Sequence, residues 1–248
     1  MSSSLQDPWL AYRKARLDAR RRLFCFPYAG GGASVYRLWA DVLPADVEVC
    51  PVQLPGRETR LEEPLYIRLC ELVDTLARVL QPYLDLPFAF FGHSIGALVS
   101  FELARELRRR HSRIPARLFV SASRAPQLGL GRRPIHDLPE PEFVERLRLL
   151  GGTPLAVLDN AEMMGLLSPM LRADFQLLET YSYVAEAPLT CPISAMAGQY
   201  DPEVSSTEVS AWQEQTQDLF TLRVFAGDHF FVNTLRQGLL QAIAEDLR

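Results

Sequence analysis

The sequence predicts an α/β fold, with a mostly parallel central sheet flanked by helices. Short apolar runs typical of strands alternate along the chain with longer amphipathic stretches typical of helices. This alternation implies strand–helix–strand units, whose strands pair in parallel. A length of 248 residues and a hydrophobic content of 48% suffice for a large core. This length fits one large domain or two small ones, and we interpret 1–248 as a single domain.

The predicted elements follow from the spacing of their apolar residues. Strands are predicted at 22–27, 47–54, 88–91, 118–120, 193–197 and 220–225. Helices are predicted at 66–83, 95–110, 206–216 and 232–247.

The stretch from about 127 to 187 interrupts the alternation, because it contains helical patterns and no convincing strand. A single crossover between parallel strands needs only about a dozen residues. An insertion of roughly 60 residues therefore indicates a helical lid over one edge of the sheet. Ordinary crossover helices are the alternative. We refer to 127–187 as the helical insertion.

Charge and composition exclude several classes of protein. A net charge of −4 at pH 7 disfavours a nucleic-acid binder. No apolar run approaches the ~18 residues of a membrane helix, and the start of the chain lacks the features of a secretory signal. The cysteines are scattered without C-x-x-C spacing, which favours buried free thiols in a reducing cytoplasm over a zinc site. They are Cys25, Cys50, Cys70 and Cys191.

The segment Gly92-His93-Ser94-Ile95-Gly96 matches the G-x-S-x-G pattern of a nucleophile elbow. A buried strand enters it and a helix leaves it, as the turn requires. Its glycines let strand and helix pass closely, while Ser94 adopts a strained conformation at the helix N-terminus. There, backbone amides point at a developing negative charge. Ser94 is the candidate nucleophile, and a tight β–α turn with an incidental serine is the alternative.

A serine hydroxyl needs a base, and His229 is the best placed of four histidines. It follows the last strand, so it lies at the same edge of the sheet as Ser94. The side chain of His93 should point away from its neighbour Ser94. His111 ends a helix in an arginine run, and His136 lies in the helical insertion. A surface-loop histidine is the alternative reading of His229.

The base needs an acid, which should precede it in the chain. Asp201 follows the strand at 193–197 and therefore lies at the carboxyl edge of the sheet. Asp228 ranks lower, because it would have to fold back on its neighbour, and Glu203 is the next competitor. The alternative for Asp201 is a turn aspartate before Pro202.

Acyl transfer also requires two donors for the oxyanion. One should be the backbone amide of Ile95, the residue after the nucleophile, and the other should come from the loop after the first strand. That loop, 27–34, contains three consecutive glycines. We choose the Ala29 amide, with Tyr28 second. A phosphate-binding loop is the rival, but the loop lacks the Gly-Lys-Ser/Thr ending and the G-x-G-x-x-G spacing.

Further motifs make the chain resemble the type II thioesterases, the stand-alone editing enzymes of polyketide and nonribosomal peptide synthases. The chain is also similar to the medium-chain acyl thioesterase of animal fatty acid synthase. The resemblance covers nearly the whole chain, and LPGRE-x-R is its most specific motif. The motifs are LFCFPYAGG at 23–31, QLPGRETR at 53–60 with Glu63-Pro64, FGHS at 91–94, GGTP at 151–154, LRAD at 171–174 and GDHFF at 227–231.

The resemblance implies an α/β-hydrolase fold with a helical lid, and hydrolysis of acyl groups from the phosphopantetheine arms of acyl or peptidyl carrier proteins. Carried over by position, Ser94 is the nucleophile, His229 the base and Asp201 the acid, with the Ala29 and Ile95 amides as the oxyanion hole. No metal or redox cofactor is needed. Two positions depart from the family, since Ile95 replaces a frequent methionine and Asp228 a frequent glycine.

We expect the lid to shape the acyl pocket, with simple packing of its helices as the alternative for each residue. Candidate lining residues are Met163, Met164, Leu166, Leu167, Met170 and Phe175. Arginines that could meet an acidic carrier protein or the pantetheine phosphate are Arg57, Arg60, Arg132 and Arg133. Arg172-Ala173-Asp174 is interpreted as a structural or hinge element without a chemical role.

Two other functions stay open. One is a generic carboxylesterase, lipase or acyltransferase on the same fold, and the other is a non-catalytic carrier-binding module. We further expect a cytoplasmic monomer without nucleic-acid or membrane partners. In the segment 1–20, partial disorder and docking of Trp9 on the body are expected.

Overall fold

Six parallel strands form the central sheet in the computed structural model, which describes residues 7–248. Their spatial order is β2-β1-β3-β4-β5-β6, and each neighbouring pair runs parallel. The strands are β1 (Arg21–Phe26), β2 (Val47–Pro51), β3 (Phe88–His93), β4 (Arg117–Ser121), β5 (Ile193–Gly198) and β6 (Phe220–Phe225). All six predicted strands are therefore confirmed. Strand β2 ends at Pro51 rather than at 54, since the Gln53 amide donates to the carbonyl of Trp9 instead of to a strand.

The α-helices lie between and after these strands. They are α1 (Leu69–Val79), α2 (Ile95–His111), α3 (Glu140–Leu150), α4 (Leu155–Leu158), α5 (Ala161–Glu179), α6 (Ser206–Ser210), α7 (Phe231–Thr234) and α8 (Arg236–Asp246). The helix predicted at 66–83 is shorter, because its last residues form a 3₁₀ turn that contains Pro82. The helix predicted at 206–216 begins with a capping box of Ser205 and Glu208, and continues as a second 3₁₀ turn.

The two faces of the sheet are buried by different layers, as neighbouring residues of β3 illustrate. Phe90 belongs to the core that α1 and α2 cover, whereas Phe91 packs against Tyr36 and Trp39 on the opposite face. Successive side chains of a strand point to opposite faces. Because both faces are buried, the strands read as continuous apolar runs rather than alternating ones.

Helices α3, α4 and α5 lie between β4 and β5, within the predicted helical insertion. They share a small core of their own, in which Phe143 and Phe175 meet edge to face with ring centroids 6.1 Å apart. Helix α3 ends at Leu150 and is capped by Gly151, which has a left-handed φ of 71° and donates its amide hydrogen bond to the Leu147 carbonyl.

The N-terminal segment packs on the main body. Trp9 contacts the core beside α1, and the guanidinium of Arg60 lies 3.9 Å from the centre of its ring. The predicted docking of Trp9 is confirmed. The expectation of partial disorder falls partly on residues 1–6, which lie outside the described residues. Within 7–248, no helix combines the length and apolar character that a membrane crossing requires.

Candidate active site

Ser94 occupies a strained turn between β3 and α2. Its φ of 55° and ψ of −121° lie outside the favoured regions for a residue with a side chain. Close backbone approach explains the flanking glycines. A Cβ on Gly92 would lie 2.1 Å from the Gly96 carbonyl oxygen, and one on Gly96 would lie 2.2 Å from the Phe26 carbonyl oxygen. The turn therefore holds Ser94 at the first turn of α2, at the carboxyl edge of the sheet.

His229 and Asp201 form a hydrogen-bonded pair at the same edge. The distance from His229 Nδ1 to Asp201 Oδ2 is 2.8 Å, and the Asp201 side chain is fully buried. The other carboxylate oxygen accepts from the amides of Glu203, at 2.8 Å, and Val204, at 3.1 Å. A carboxylate on Nδ1 favours the tautomer that carries its proton there, which leaves Nε2 able to accept a proton.

The competing carboxylates have other partners. Asp228 accepts from the amide of Phe230 at 2.9 Å, in a local turn. Glu203 pairs with Arg132 at 2.5 Å. Of the three acids that the sequence offered, the structure brings only Asp201 to the His229 ring.

Ser94 and His229 both line one cavity at this edge of the sheet. Among residues 7–248, Ser94 Oγ has no hydrogen-bond partner, and neither has His229 Nε2. In unliganded hydrolases the bond between nucleophile and base is often long and tightens only with substrate. Ser94 Oγ and His229 Nε2 are therefore both available to form a hydrogen bond with a ligand in this cavity.

Two backbone amides near Ser94 are free to bind an oxyanion. In the loop after β1, the Gly30 amide donates to Asp174 Oδ2 at 2.8 Å and the Gly31 amide to the Tyr28 carbonyl at 2.9 Å. The amides of Ala29 and Ile95 make no hydrogen bond within the described chain. Ala29 also lines the cavity that holds Ser94.

His93 does more than sequence reasoning expected. Its side chain is fully buried, with Nδ1 2.9 Å from Ser121 Oγ and Nε2 2.8 Å from the His229 carbonyl oxygen. Burial lowers the pKa of His93 well below its usual value, and the neighbouring His229 lowers that pKa further. The ring is therefore neutral. No local pattern of residues indicated this contact, because the two histidines are far apart in the chain.

Two of the arginines assigned to carrier contact are buried instead. Arg57 forms a buried pair with Asp174 on α5, at 2.7 Å. Arg60 is 6% exposed and pairs with Glu63. The expectation that Arg57 and Arg60 meet a carrier is therefore wrong, because these guanidiniums satisfy partners within the fold. The remaining two lie elsewhere: Arg132 lines the cavity and Arg133 is exposed.

The cavity has a volume of about 360 Å³, within the usual range for ligand sites. Its wall is partly apolar, and two ion pairs also line it, Arg132 with Glu203 and Arg124 with Glu208 at 2.9 Å. The apolar lining side chains are Leu98, Leu147, Leu150, Leu171, Phe175, Leu178 and Phe230.

Only Phe175 of the predicted pocket residues lines this cavity. Met163 and Leu166 are 41% and 75% exposed. The other three belong to or pack on the insertion's own core: Met164, Leu167 and Met170. The prediction for these five was wrong because α5 turns one face to the cavity, with Leu171, Phe175 and Leu178 at helical spacing. That spacing was readable in the sequence, whereas methionine content was a misleading guide.

Comparison with known proteins identifies the family. A family model described as a thioesterase domain matches residues 21–248. The chain belongs to the thioesterase family. The fold is the α/β-hydrolase fold that the sequence predicted, and the stated resemblance is confirmed.

Relatives of this thioesterase match it over nearly its whole length. The gramicidin S biosynthesis protein GrsT of Aneurinibacillus migulanus is 43% identical over 242 residues, which cover 98% of this chain and 94% of the relative. The RedJ thioesterase of the prodiginine pathway in Streptomyces coelicolor superposes with a TM-score of 0.86 at 40% identity, covering 92% of this chain and 90% of RedJ. The type II thioesterase BorB of the borrelidin cluster gives a TM-score of 0.88 at 39% identity, covering 98% of both chains.

Proposed function

We propose that this thioesterase is a type II enzyme of a polyketide or nonribosomal peptide pathway. It removes stalled or aberrant acyl groups from the phosphopantetheine arms of acyl or peptidyl carrier proteins. The observation that carries the proposal is the hydrogen-bonded Asp201–His229 pair at a cavity that the strained Ser94 also lines. The relatives named for gramicidin, prodiginine and borrelidin biosynthesis support the pathway class.

The reaction proceeds through an acyl-serine intermediate. His229 Nε2 takes the hydroxyl proton while Ser94 Oγ attacks the thioester carbonyl carbon. The oxyanion of the tetrahedral intermediate accepts from the amides of Ala29 and Ile95. The C–S bond then breaks, and the pantetheine sulfur leaves with the proton returned by His229. Water, deprotonated by the same ring, then attacks the acyl carbon. The bond from that carbon to Ser94 Oγ breaks, His229 returns the proton to the serine oxygen, and the free acid is released.

The helical insertion is the lid of this site. Its apolar residues Leu147, Leu171 and Phe175 line the cavity beside Ser94, so an acyl chain on the serine packs against them. The ion pairs in the same wall offer partners to the polar substituents of a partly processed acyl unit. At the outside of the insertion, the exposed Arg133 is available to an acidic carrier protein.

The proposed enzyme is a cytoplasmic monomer that works beside the synthase. Its four cysteines are free thiols, three of them buried, which suits a reducing compartment. The carrier protein is its macromolecular partner.

Mass spectrometry of acyl-loaded carrier proteins tests the proposal. Carriers loaded with short acyl groups should lose the acyl mass and retain the phosphopantetheine arm when the protein is added. Ser94→Ala should abolish this release and leave carrier binding largely intact, because the hydroxyl contributes to chemistry and little to binding. Release that persists in Ser94→Ala would show that another residue is the nucleophile.

A comparison of matched substrates separates the proposal from a generic esterase. We expect acyl-carrier thioesters to be hydrolysed faster than oxygen esters of the same acyl group. A strong preference for oxygen esters would favour the carboxylesterase alternative. Carrier binding without any release by the wild-type protein would favour the non-catalytic module.

A further inference from the structure

Arg57 and Asp174 form an ion pair that joins three separate segments of the chain. The two guanidinium nitrogens Nη1 and Nη2 lie 2.7 Å from Asp174 Oδ2 and Oδ1, so the pair is bidentate. Arg57 is 4% exposed and Asp174 is 2% exposed. Arg57 comes from the loop after β2, Asp174 comes from α5 of the helical insertion, and their common neighbour is the glycine loop after β1.

Both members of the pair bind that glycine loop. Asp174 Oδ2 accepts from the Gly30 amide at 2.8 Å, and Arg57 Nη1 donates to the Gly31 carbonyl oxygen at 3.1 Å. Asp174 thus holds the peptide unit between Ala29 and Gly30, and Arg57 holds the one between Gly31 and Gly32. Gly30 has a φ of 76°, so the backbone that the pair fixes is one that few other residues adopt.

The neighbouring residue in this loop is Ala29, the proposed second oxyanion donor. The peptide that follows Ala29 carries the amide of Gly30, and a hydrogen bond on that amide limits the rotation of Ala29's own backbone. A second contact comes from the same helix, because a Cβ on Gly30 would lie 2.7 Å from Leu171 Cδ2. Helix α5 therefore packs directly on the turn that orients the Ala29 amide.

A buried Gln53 completes the support. Its Oε1 accepts from the Ala33 amide at 3.0 Å, and its Nε2 donates to the Arg57 carbonyl at 3.1 Å. The glycine loop is therefore held at Gly30, Gly31 and Ala33 by side chains of other segments. A buried ion pair is a weak source of stability, because the desolvation of both charges offsets their attraction. The pair therefore contributes mainly by fixing the conformation of the glycine loop.

We propose that Arg57 and Asp174 are positioning residues that set the Ala29 amide for the oxyanion, so that the helical insertion completes the oxyanion hole. This inference rests on the proposed function of Ser94 and Ala29. It assigns a role to two motifs that the triad does not use, LPGRE-x-R and LRAD. The donor on Ile95 is fixed by the elbow itself, whereas the donor on Ala29 depends on α5.

The Asp174→Asn variant tests the proposal, because it removes the charge and keeps the shape. Loss of one oxyanion donor typically lowers kcat ~10²–10³-fold, and a displaced donor should cost about 10- to 100-fold. We expect this loss in kcat with little change in KM. An alkyl trifluoromethyl ketone, which adds to Ser94 and places an oxyanion in the hole, should bind more weakly by a similar factor.

The affinity for the substrate in its ground state distinguishes a positioning role from a general structural one. In the Ser94→Ala background, Asp174→Asn should change the affinity for an acyl-loaded carrier less than about two-fold, because the ground-state carbonyl depends little on the hole. Glu140→Gln is the matched control. It also neutralises a carboxylate that pairs with an arginine in the insertion, at 2.8 Å from Arg172, without touching the glycine loop. We expect kcat and ketone affinity to stay at wild-type values in this control.

A second variant keeps the test decisive if Asp174→Asn fails to fold. Arg57→Lys keeps a cation beside Asp174 and removes the bidentate geometry. This variant should therefore fold, and its kcat should fall less than that of Asp174→Asn. Folded variants with wild-type kcat and ketone affinity would overturn the positioning role. So would an equal loss of ground-state and ketone binding. A wild-type protein that neither releases acyl groups nor binds the ketone would instead contradict the proposed function itself.

Discussion

His93 Nε2 lies 2.8 Å from the backbone carbonyl oxygen of His229, and this contact joins the turn of Ser94 to the loop that contains His229. The other ring nitrogen lies 2.9 Å from Ser121 Oγ at the end of β4. Because the buried ring is neutral, Nε2 carries a proton that it donates to the carbonyl, and Nδ1 accepts from the serine hydroxyl. The residue beside Ser94 thus helps to set the distance between Ser94 and His229.

Removal of this contact should lower the rate of the chemical step. We expect His93→Ala to reduce kcat about 10- to 100-fold, since small misplacements of a base are costly. His93→Gln, which can donate from a similar position, should recover part of the loss. His111→Asn at the exposed end of α2 serves as the control. Steady-state kinetics on an acyl thioester measure the effect, and wild-type kcat in a folded His93→Ala would contradict it.

The same histidine should make stability depend on pH. The folded pKa of His93 lies well below the value of about 6.5 expected in the unfolded chain. Below pH 6.5 the unfolded chain therefore binds a proton that the folded protein does not, and stability falls as the pH falls toward the folded pKa. The slope from this group approaches about 1.4 kcal/mol per pH unit. Urea titrations of wild type and His93→Gln between pH 7.5 and 5 should show a shallower loss in the variant, and parallel curves would contradict the assignment.

Asp201 should be essential to the rate, whereas Asp228 should not. Asp201→Asn leaves the site's shape and disfavours the tautomer of His229 that can accept a proton, a change that lowers kcat about 10⁴-fold at a serine–histidine–aspartate site. Asp228→Asn is the matched control, because among residues 7–248 the Asp228 carboxylate accepts its one hydrogen bond from the Phe230 amide. We expect the control to retain kcat within about two-fold, because no interaction made in the transition state is removed. Equal losses in both variants would mean that the wrong acid has been assigned.

Two glycine-to-alanine variants should act in opposite directions. A Cβ on Gly96 would lie 2.2 Å from the Phe26 carbonyl oxygen, so Gly96→Ala should destabilise the protein and disturb Ser94. Gly165 lies in α5, and a Cβ there meets nothing within 4 Å. Gly165→Ala should therefore stabilise the protein by up to about 1 kcal/mol through helix propensity. Thermal unfolding measures both, and a tolerated Gly96→Ala would contradict the close-approach argument.

One thiol should react readily in the native protein. Cys70 is exposed, whereas Cys25, Cys50 and Cys191 are buried. Burial raises the pKa of Cys191 to about 12, which suppresses its thiolate. A colorimetric disulfide reagent should label one thiol quickly and the others only after unfolding. Labelling should leave thioesterase activity unchanged, because Cys70 does not line the cavity of Ser94. Rapid labelling of further thiols would contradict the burial of the other three.

Much of the fold was readable from the sequence because the signals are local. The strands are recognisable as apolar runs, because both faces of the sheet are buried. The turn at Ser94 is recognisable because the glycines that it requires, Gly92 and Gly96, flank it in the sequence. Chain order and the carboxyl edge of a parallel sheet were enough to place Ser94, Asp201 and His229 near one another. The acyl pocket was less readable, because which face of α5 turns inward depends on what it packs against.

The sequence by itself determined the succession of strands and helices along the chain, the turn at Ser94 and the family. Each of these rests on motifs whose residues lie close together in the chain. Only the tertiary structure decided that Arg57 is buried against Asp174 and that His93 supports the His229 loop. The physical reason is that charged and polar side chains are usually solvent-exposed unless a partner within the fold pairs with them, so exposure is expected when the partner is unknown. Those partners lie 117 and 136 positions away along the chain, and folding alone brings them together.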